Sequence, residues 1–174
     1  MTDTPSGSLR LRPLQLGDEA EAHRAHAELE QDQFPFLLER EPSETWQSYL
    51  RKLDRYRRGV DLPRDRVPAT FLAAIVDGQL IGRVSIRHEL TQYLTSFGGH
   101  IGYGVRPSHR RRGYASEILG QTLIIARALG LDRLLLTCDQ NNVPSAKIIE
   151  RHGGVLQDIR NDPNGPAKRR YWIE

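Results

Sequence analysis

The sequence has little of what marks several large protein classes. Its single cysteine, Cys138, cannot form an internal disulfide or a cysteine-based metal cluster, and we expect no metal site. No apolar run approaches the roughly 20 residues of a membrane-spanning helix. The first eight residues are polar and lack the apolar segment of a signal peptide. These absences predict a protein of the reducing cytoplasm that does not associate with a membrane.

Lysine is also scarce, because only three of the 25 basic residues are lysines. The formal net charge is +3, and acidic residues are mixed with the arginines almost everywhere. No face is therefore predicted to coat a nucleic acid. One basic cluster stands out: Arg106, Arg110, Arg111 and Arg112 are followed by no acid until Glu117.

The length of 174 residues suits one domain with its own hydrophobic core. We predict a flexible tail over residues 1–7 and a single domain over 8–174. A short strand is expected around Leu9–Pro13. Two amphipathic helices are expected to follow, the first capped by Asp18 and reaching about Gln31, the second beginning near Ser43. Residues 59–68 read as a loop.

From Thr70 onward, apolar segments alternate with turn signals. The runs 71–76 and 80–86, separated by Asp-Gly, predict a β-hairpin. The periodicity then predicts, in order, a strand over 100–105, a helix over 113–129, a buried strand over 133–138, a helix over 144–152 and strands over 155–159 and 170–173. The order β-α-α-β-β-β-α-β-α-β-β predicts an α/β fold, a mixed, mostly antiparallel sheet with helices on both sides.

The turn between the strand at Val105 and the helix at Gly113 is the most informative segment. The first N–H groups of a helix lack intrahelical partners, and the helix dipole makes that end positive. A diphosphate can therefore bind there through main-chain amides. Gly113 has no Cβ that would keep phosphate oxygens away from the backbone. His109 and the neighbouring arginines add positive charge.

Other interpretations of the same turn are weaker. Arg110–Arg112 can be a solvated charge run before an ordinary helix. A dinucleotide-binding turn is disfavoured, because Gly102-x-Gly104 continues to Pro107, where a third glycine belongs. No Gly-Lys-Ser/Thr of a P-loop occurs. Nucleic-acid binding through Arg106–Arg112 stays open, although the interleaved aromatics of a stacking surface are lacking.

Two motifs resemble those of the GNAT superfamily of acyl-CoA-dependent N-acetyltransferases. Arg110-x-x-Gly113-x-Ala115 matches the family's Gln/Arg-x-x-Gly-x-Gly/Ala loop. The second motif, Asn142-x-x-Ser145-x-x-Ile148-Ile149-Glu150-x-x-Gly153-Gly154, is in register with the family's Asn-x-x-Ala-x-x-Leu-Tyr-Glu-x-x-Gly-Phe. The resemblance covers about residues 70–173.

This resemblance implies a GNAT-like fold, acetyl-CoA as cosubstrate and no metal. It implies that the loop holds the CoA pyrophosphate, that the preceding strand offers main-chain groups to pantetheine and the acetyl carbonyl, and that the second motif contacts the cofactor's arm. The implied cofactor-binding residues are Tyr103, Gly104, Val105, Arg110, Arg111, Arg112, Gly113, Tyr114, Ala115, Asn142 and Ser145. Lys147 and Arg151 are further candidates for the phosphates.

Two positions depart from the family's pattern. Ile149 replaces the tyrosine that often protonates the leaving thiolate, and Gly154 replaces the aromatic residue. Tyr103 and Ser145 are candidates for the missing acid. Glu89 is our first candidate for the general base and His100 the second, with His88 nearby; each can equally be a residue with a structural role.

The leading hypothesis is an N-acetyltransferase that moves an acetyl group to a primary amine by direct attack in a ternary complex. The alternatives are a non-catalytic acyl-CoA-binding module and a nucleic-acid-binding protein. The acceptor is not identified. Many acids precede residue 58, so a cationic acceptor is conceivable, and a solvated acidic surface explains them equally well. A homodimer stays open.

Overall fold

The computed structural model describes residues 7–174. Residues 1–6 of the predicted tail lie outside the described residues. The elements, in chain order, are β1 Arg10–Arg12, α1 Glu19–Glu30, α2 Trp46–Arg58, β2 Ala69–Val76, β3 Gln79–Arg87, β4 Ile101–Val105, α3 Tyr114–Ala128, β5 Leu134–Asp139, α4 Val143–Arg151, β6 Val155–Arg160 and β7 Lys168–Ile173. The predicted order of strands and helices is confirmed.

In residues 7–174, seven strands form one sheet in the order β1-β2-β3-β4-β5-β7-β6. The β4–β5 pair is parallel, and the other neighbours among these strands are antiparallel. The last strand, β7, lies between β5 and β6, which leaves β6 at an edge. The predicted mixed, mostly antiparallel sheet is confirmed.

The parallel strands β4 and β5 are paired over a very short length. β4 and β5 are in register at one position only, Ile101 with Leu136. By contrast, β4 pairs with β3 along its whole length, from Ile101 opposite Ile86 to Val105 opposite Gly82. The sheet is therefore open on one side of β4, beyond Ile101.

Both faces of the sheet are covered by helices, as predicted. One buried cluster packs α3 and α4, with Ile118 and Ile149, against apolar side chains of the sheet, among them Ile86, Ile101 and Leu136. The other packs α1 and α2 against the opposite face, with Leu29, Phe36, Tyr49, Phe71 and Leu80. None of the helices in residues 7–174 is both long and apolar enough to cross a lipid bilayer.

The helix starts differ from the predictions in their capping groups. The Asp18 carboxylate makes no cap hydrogen bond to α1 and instead accepts from Arg12 and from the main-chain N–H of Gln15. The second helix begins at Trp46 rather than near Ser43, because the Thr45 hydroxyl accepts from the N–H of Ser48. Both predicted helices exist: the first follows Asp18 as predicted but lacks its side-chain cap, and the start predicted for the second near Ser43 was wrong.

Arg106 joins α1 to the end of β4. The residue is 8% exposed. Its guanidinium donates to Glu21 at 2.8 Å, to Glu28, and to the carbonyl of Leu80 at 2.9 Å. These partners lie far away in the sequence, so the contact forms only when the N-terminal helix packs on the sheet. Arg106 is thus a structural residue rather than part of an exposed basic surface.

We expect Arg106→Leu to lower the free energy of unfolding by about 2 kcal/mol, because charged hydrogen bonds are lost and a carbonyl is left without its donor. Hydrogen bonding to Arg106 holds the pKa of Glu28 below its ordinary value. This contribution is therefore present above the ordinary glutamate pKa and is lost as pH falls through the lowered one. Urea unfolding at neutral and acidic pH measures both effects.

Arg24→Leu is the control for this prediction. Arg24 also pairs with Glu21, but its side chain is 60% exposed. Its loss should change the unfolding free energy by no more than ~0.5 kcal/mol. Equal losses in the two variants would contradict the structural role of Arg106.

Candidate functional site

The turn that leads from β4 into α3 has an unusual backbone. Pro107–His109 form a short 3-10 turn, and both Arg111 and Gly113 have positive φ angles, 61° and 83°. Gly113 is the N-cap of α3, and no side chain of residues 7–174 caps the helix. The left-handed conformation at Gly113 costs a glycine little, whereas a residue with a Cβ would be strained there.

Six consecutive main-chain N–H groups, those of residues 111–116, donate no hydrogen bond within the described residues. The last N–H before them, that of Arg110, donates to Pro107, and the first after them, that of Glu117, donates to Gly113. We call these six groups the amide cradle. A Cβ built at Gly113 would have no atom within 4 Å, so the space in front of the turn is open. Unpaired amides at the positive end of a 15-residue helix favour an anion.

The arginines around the amide cradle play different parts. Arg110 donates through Nε to the carbonyl of Val105 at 3.0 Å and is ion-paired with Asp32, so its charge is already matched. Arg111 and Arg112 are exposed, and neither forms an ion pair within residues 7–174. With Arg106 buried as well, the predicted cluster is reduced to two available charges. This division argues against a nucleic-acid surface built from Arg106–Arg112.

The open side of β4 presents main-chain groups. The N–H of Arg106 donates to Ile81, and the carbonyl of His100 accepts from Arg87, so the even-numbered residues of β4 point their main-chain groups at β3. Because these groups alternate along a strand, those of Tyr103 and Val105 point toward β5, where pairing has stopped. Gly104 is covered on the other face, since a Cβ there would lie 2.6 Å from the ring of Phe34.

Two candidate acids meet across the opening between β4 and α4. The hydroxyls of Tyr103 and Ser145 are 3.1 Å apart, and either one can donate. Burial raises the pKa of the Tyr103 hydroxyl, which therefore keeps its proton at neutral pH. Burial likewise raises the pKa of the neighbouring Cys138 thiol to about 11, which makes it an unreactive thiol.

The second motif begins at Asn142, whose side-chain oxygen accepts from the N–H of Ser145 at 3.2 Å and so caps α4. Its side-chain NH₂ group has no partner in the described residues. Asn142 therefore has a structural role, and its NH₂ is free to donate to a ligand. Lys147 and Arg151 are exposed.

The two positions that depart from the family pattern, Ile149 and Gly154, pack against each other. Ile149 is fully buried in the core. A Cβ at Gly154 would lie 2.5 Å from the Ile149 side chain and 2.8 Å from its carbonyl oxygen, distances that real atoms avoid. A side chain at position 154 would therefore clash with residue 149, and the isoleucine at 149 offers no proton.

The candidate bases are not gathered at one point. His100 is 7% exposed, and its Nδ1 accepts from the main-chain N–H of Leu135 at 2.9 Å. That nitrogen cannot take a proton without losing this bond, which argues against His100 as a base. The Nε2 of His88 lies 2.8 Å from the Thr70 hydroxyl. Glu89 is exposed at the end of β3.

A cavity of about 820 Å³ opens between α2, the 61–67 loop and the sheet. Its wall contains Phe71, Ser85 and Arg87 of the sheet, and Ser85 is in register with Gly102 of β4. The cavity thus lies on the α2 face of the sheet, opposite the α3–α4 face. The second helix and the loop after it supply part of the wall, with Leu53, Tyr56 and Arg64 among them.

Sequence reasoning missed Arg83 and Arg87, two arginines of β3 on this face. Arg83 is 3% exposed and donates to the carbonyls of Pro35 and Gly102, while Arg87 donates to those of Gly98 and Gly99. The signal was present as polar residues at alternate positions, 83, 85 and 87, of an otherwise apolar strand.

The acids before residue 58 do not surround this cavity as free charges. Seven of them are ion-paired within the described residues: Asp18 with Arg12, Glu21 and Glu28 with Arg106, Asp32 with Arg110, Glu39 with Arg66, Glu44 with Lys52 and Asp54 with Arg57. The cationic acceptor that these acids made conceivable therefore has little support.

Comparison with known proteins agrees with this geometry. The sequence profile described as "Acetyltransferase (GNAT) domain" matches residues 8–155. A search of curated proteins finds no significant match.

Solved structures share the fold. RimJ of Mycobacterium smegmatis, solved in complex with CoA-disulfide, superposes with a TM-score of 0.71 at 21% identity, over 97% of this chain and 83% of that one. An acetyltransferase from Agrobacterium tumefaciens strain C58 gives 0.64 at 23% identity, with coverages of 98% and 92%. RimL, a ribosomal L7/L12 alpha-N-protein acetyltransferase, gives 0.66 at 15% identity, with coverages of 98% and 92%.

Proposed function

The chain belongs to the acetyltransferase (GNAT) family, and from that premise we propose that it transfers an acetyl group from acetyl-CoA to a primary amine. The amine attacks directly while both substrates are bound. The observation that carries this proposal is the amide cradle, six unpaired N–H groups in front of an open glycine. A diphosphate is the ligand that such an arrangement suits.

The residues present fit a CoA-like molecule along its length. The amide cradle would hold the pyrophosphate, with Arg111 and Arg112 adding charge. The main-chain groups of Tyr103, which lack strand partners, would pair with the pantetheine arm, and the N–H of Val105 would remain for the acetyl carbonyl. The free NH₂ of Asn142 would donate to the same arm. Ser145 lies beside Tyr103 in this opening.

Acetyl-CoA supplies an activated thioester, so the chain needs to supply only positioning and proton handling. A main-chain N–H of β4, that of Val105 in our proposal, stabilises the negative charge that develops on the carbonyl oxygen. The Tyr103 hydroxyl, hydrogen-bonded to Ser145, gives its proton to the departing sulfur. It would thus take the role of the family's tyrosine, whose position is occupied here by Ile149. Glu89 accepts the amine proton through water at the end of β3.

A non-catalytic acyl-CoA-binding module is the second candidate, and the buried Ile149 favours it. Such a module would bind CoA through the same amide cradle and would release no thiol with any acceptor. Both functions therefore predict CoA binding, and only the transferase predicts thiol release.

The test is a thermal-shift panel of CoA, acetyl-CoA, NAD and ATP, followed by thiol-release assays with a set of amines. We expect CoA and acetyl-CoA to raise the melting temperature, because a ligand that binds only the native state stabilises it. At 100 times its Kd the ligand contributes about 2.7 kcal/mol. Stabilisation by NAD or ATP but not by CoA would refute the assignment, and stabilisation without thiol release would favour the binding module.

A further inference from the structure

Two arginines on the sheet side of the cavity have no acid partner in residues 7–174: Arg83, which is buried, and Arg87, which is half-buried. By contrast, the buried arginines Arg106 and Arg170 both form ion pairs. Carbonyl oxygens accept from Arg83 and Arg87, but they carry no formal charge to balance a cation. Charges buried in this way are costly unless they are paired.

Arg83 shows this cost most clearly. Its guanidinium stacks 4.1 Å from the centre of the Phe34 ring, and its Nε is buried without any hydrogen-bond partner. Burial, together with the nearby charge of Arg87, lowers the pKa of Arg83 to about 9. It is still protonated at neutral pH, so the positive charge persists beneath the cavity.

Arg87 brings that charge to the cavity itself. It is part of the cavity wall, and only its Nη1 is engaged, by the carbonyls of Gly98 and Gly99 at 3.2 Å. Its Nε and Nη2 donate to no atom of the described residues. Burial also lowers the pKa of Arg87, because removing its charge from water is unfavourable.

The acids of the cavity wall do not neutralise these groups. Glu39 is ion-paired with Arg66 and accepts from the hydroxyl of Tyr56. Asp65 is exposed on the loop, as is Arg64. The sheet side of the cavity therefore carries positive charge.

We propose that the acceptor amine also carries an anionic oxygen acid, a carboxylate or a phosphate, that binds to Arg87. A planar guanidinium with two free donors matches such a group in a bidentate contact. The bound anion would supply the negative charge that Arg83 and Arg87 lack within residues 7–174. This inference rests on the proposed function, because it names the class of acceptor for the same site.

The experiment uses four short amines that differ mainly in their second group: β-alanine, O-phosphoethanolamine, β-alaninamide and 1,3-diaminopropane. With acetyl-CoA present, we expect kcat/KM for one of the two acidic amines to exceed that for the amide by ~10-fold or more, and that for the diamine by at least as much. The preferred acid identifies carboxylate or phosphate as the bound group.

Arg87→Gln should reduce this preference to within about twofold of unity. Arg55→Gln, the same change at an exposed position of α2 outside the cavity wall, should leave the preference intact. An equal or higher kcat/KM for the amide in the wild type, or an unchanged preference in Arg87→Gln, overturns the proposal.

Binding without chemistry separates this inference from the proposed function. The melting temperature is measured with each amine in the absence of acetyl-CoA. Stabilisation by an acidic amine that is lost in Arg87→Gln supports an anion site even if CoA neither binds nor reacts. CoA binding and thiol release without any acid-specific effect refute the anion site and leave the transferase intact.

Discussion

Gly113→Glu is expected to abolish the rise in melting temperature that CoA gives the wild-type chain. The new carboxylate would stand in the open space before the amide cradle and would occupy the N–H groups that the pyrophosphate needs. For a chain of this size, the wild-type stabilisation at 100 times Kd corresponds to roughly 5–10 °C. The measurement is a thermal melt of each protein with and without CoA.

Gly130→Glu is a closely matched control. Gly130 follows α3 at the opposite end, has a φ of 86°, and also has no atom within 4 Å of a built Cβ. Both substitutions force a side chain into the left-handed region at a cost of about 1–2 kcal/mol, so both lower the melting temperature of the free protein. The Gly130 variant should keep its response to CoA. A normal response in the Gly113 variant would show that the diphosphate binds elsewhere.

Tyr103→Phe is expected to lower kcat by about 100-fold while CoA still stabilises the protein, since only the proton donor is removed. The hydroxyl of Tyr103 is well placed for this role because the residue is half-buried and the hydroxyl is protonated and bonded to Ser145. Steady-state thiol release with the best acceptor of the panel measures kcat, and thermal melts measure cofactor binding.

Tyr171→Phe is the control, because it removes a second buried tyrosine hydroxyl, one that donates to Glu150 at 3.0 Å. Its stability should fall, with little change in kcat. If the hydroxyls of Tyr103 and Ser145 act as one unit, Ser145→Ala combined with Tyr103→Phe should lose no more activity than Tyr103→Phe alone. Full activity of Tyr103→Phe would remove Tyr103 from the mechanism.

The sequence was most informative where local rules decide the structure. The Asp-Gly turn predicted the β2–β3 hairpin, and the strand–turn–helix pattern around Gly113 predicted the start of α3 within one residue. The resemblance carried by Arg110–Ala115 and Asn142–Gly154 is confirmed at the level of family and fold. Strand and helix periodicity, turn chemistry and helix capping act over a few residues, so they can be read from the chain itself.

The remaining features depend on contacts between distant residues. Arg106 was grouped with Arg110–Arg112 because they are close in the chain, yet its partners are Glu21 and Glu28, which only the fold brings near. The contact between Tyr103 and Ser145 spans 42 positions. The roles of Glu89 and of the other site residues stay predictions until the variants are measured.

The unpaired side of β4 has a further consequence. An exposed strand edge normally invites another polypeptide to extend the sheet, with aggregation as the danger. Here that edge faces inward, between β5 and the helices α3 and α4, rather than lying at the rim of the sheet. Because of this enclosure, the unpaired groups of β4 are not presented at the rim, where a strand of another chain could extend the sheet.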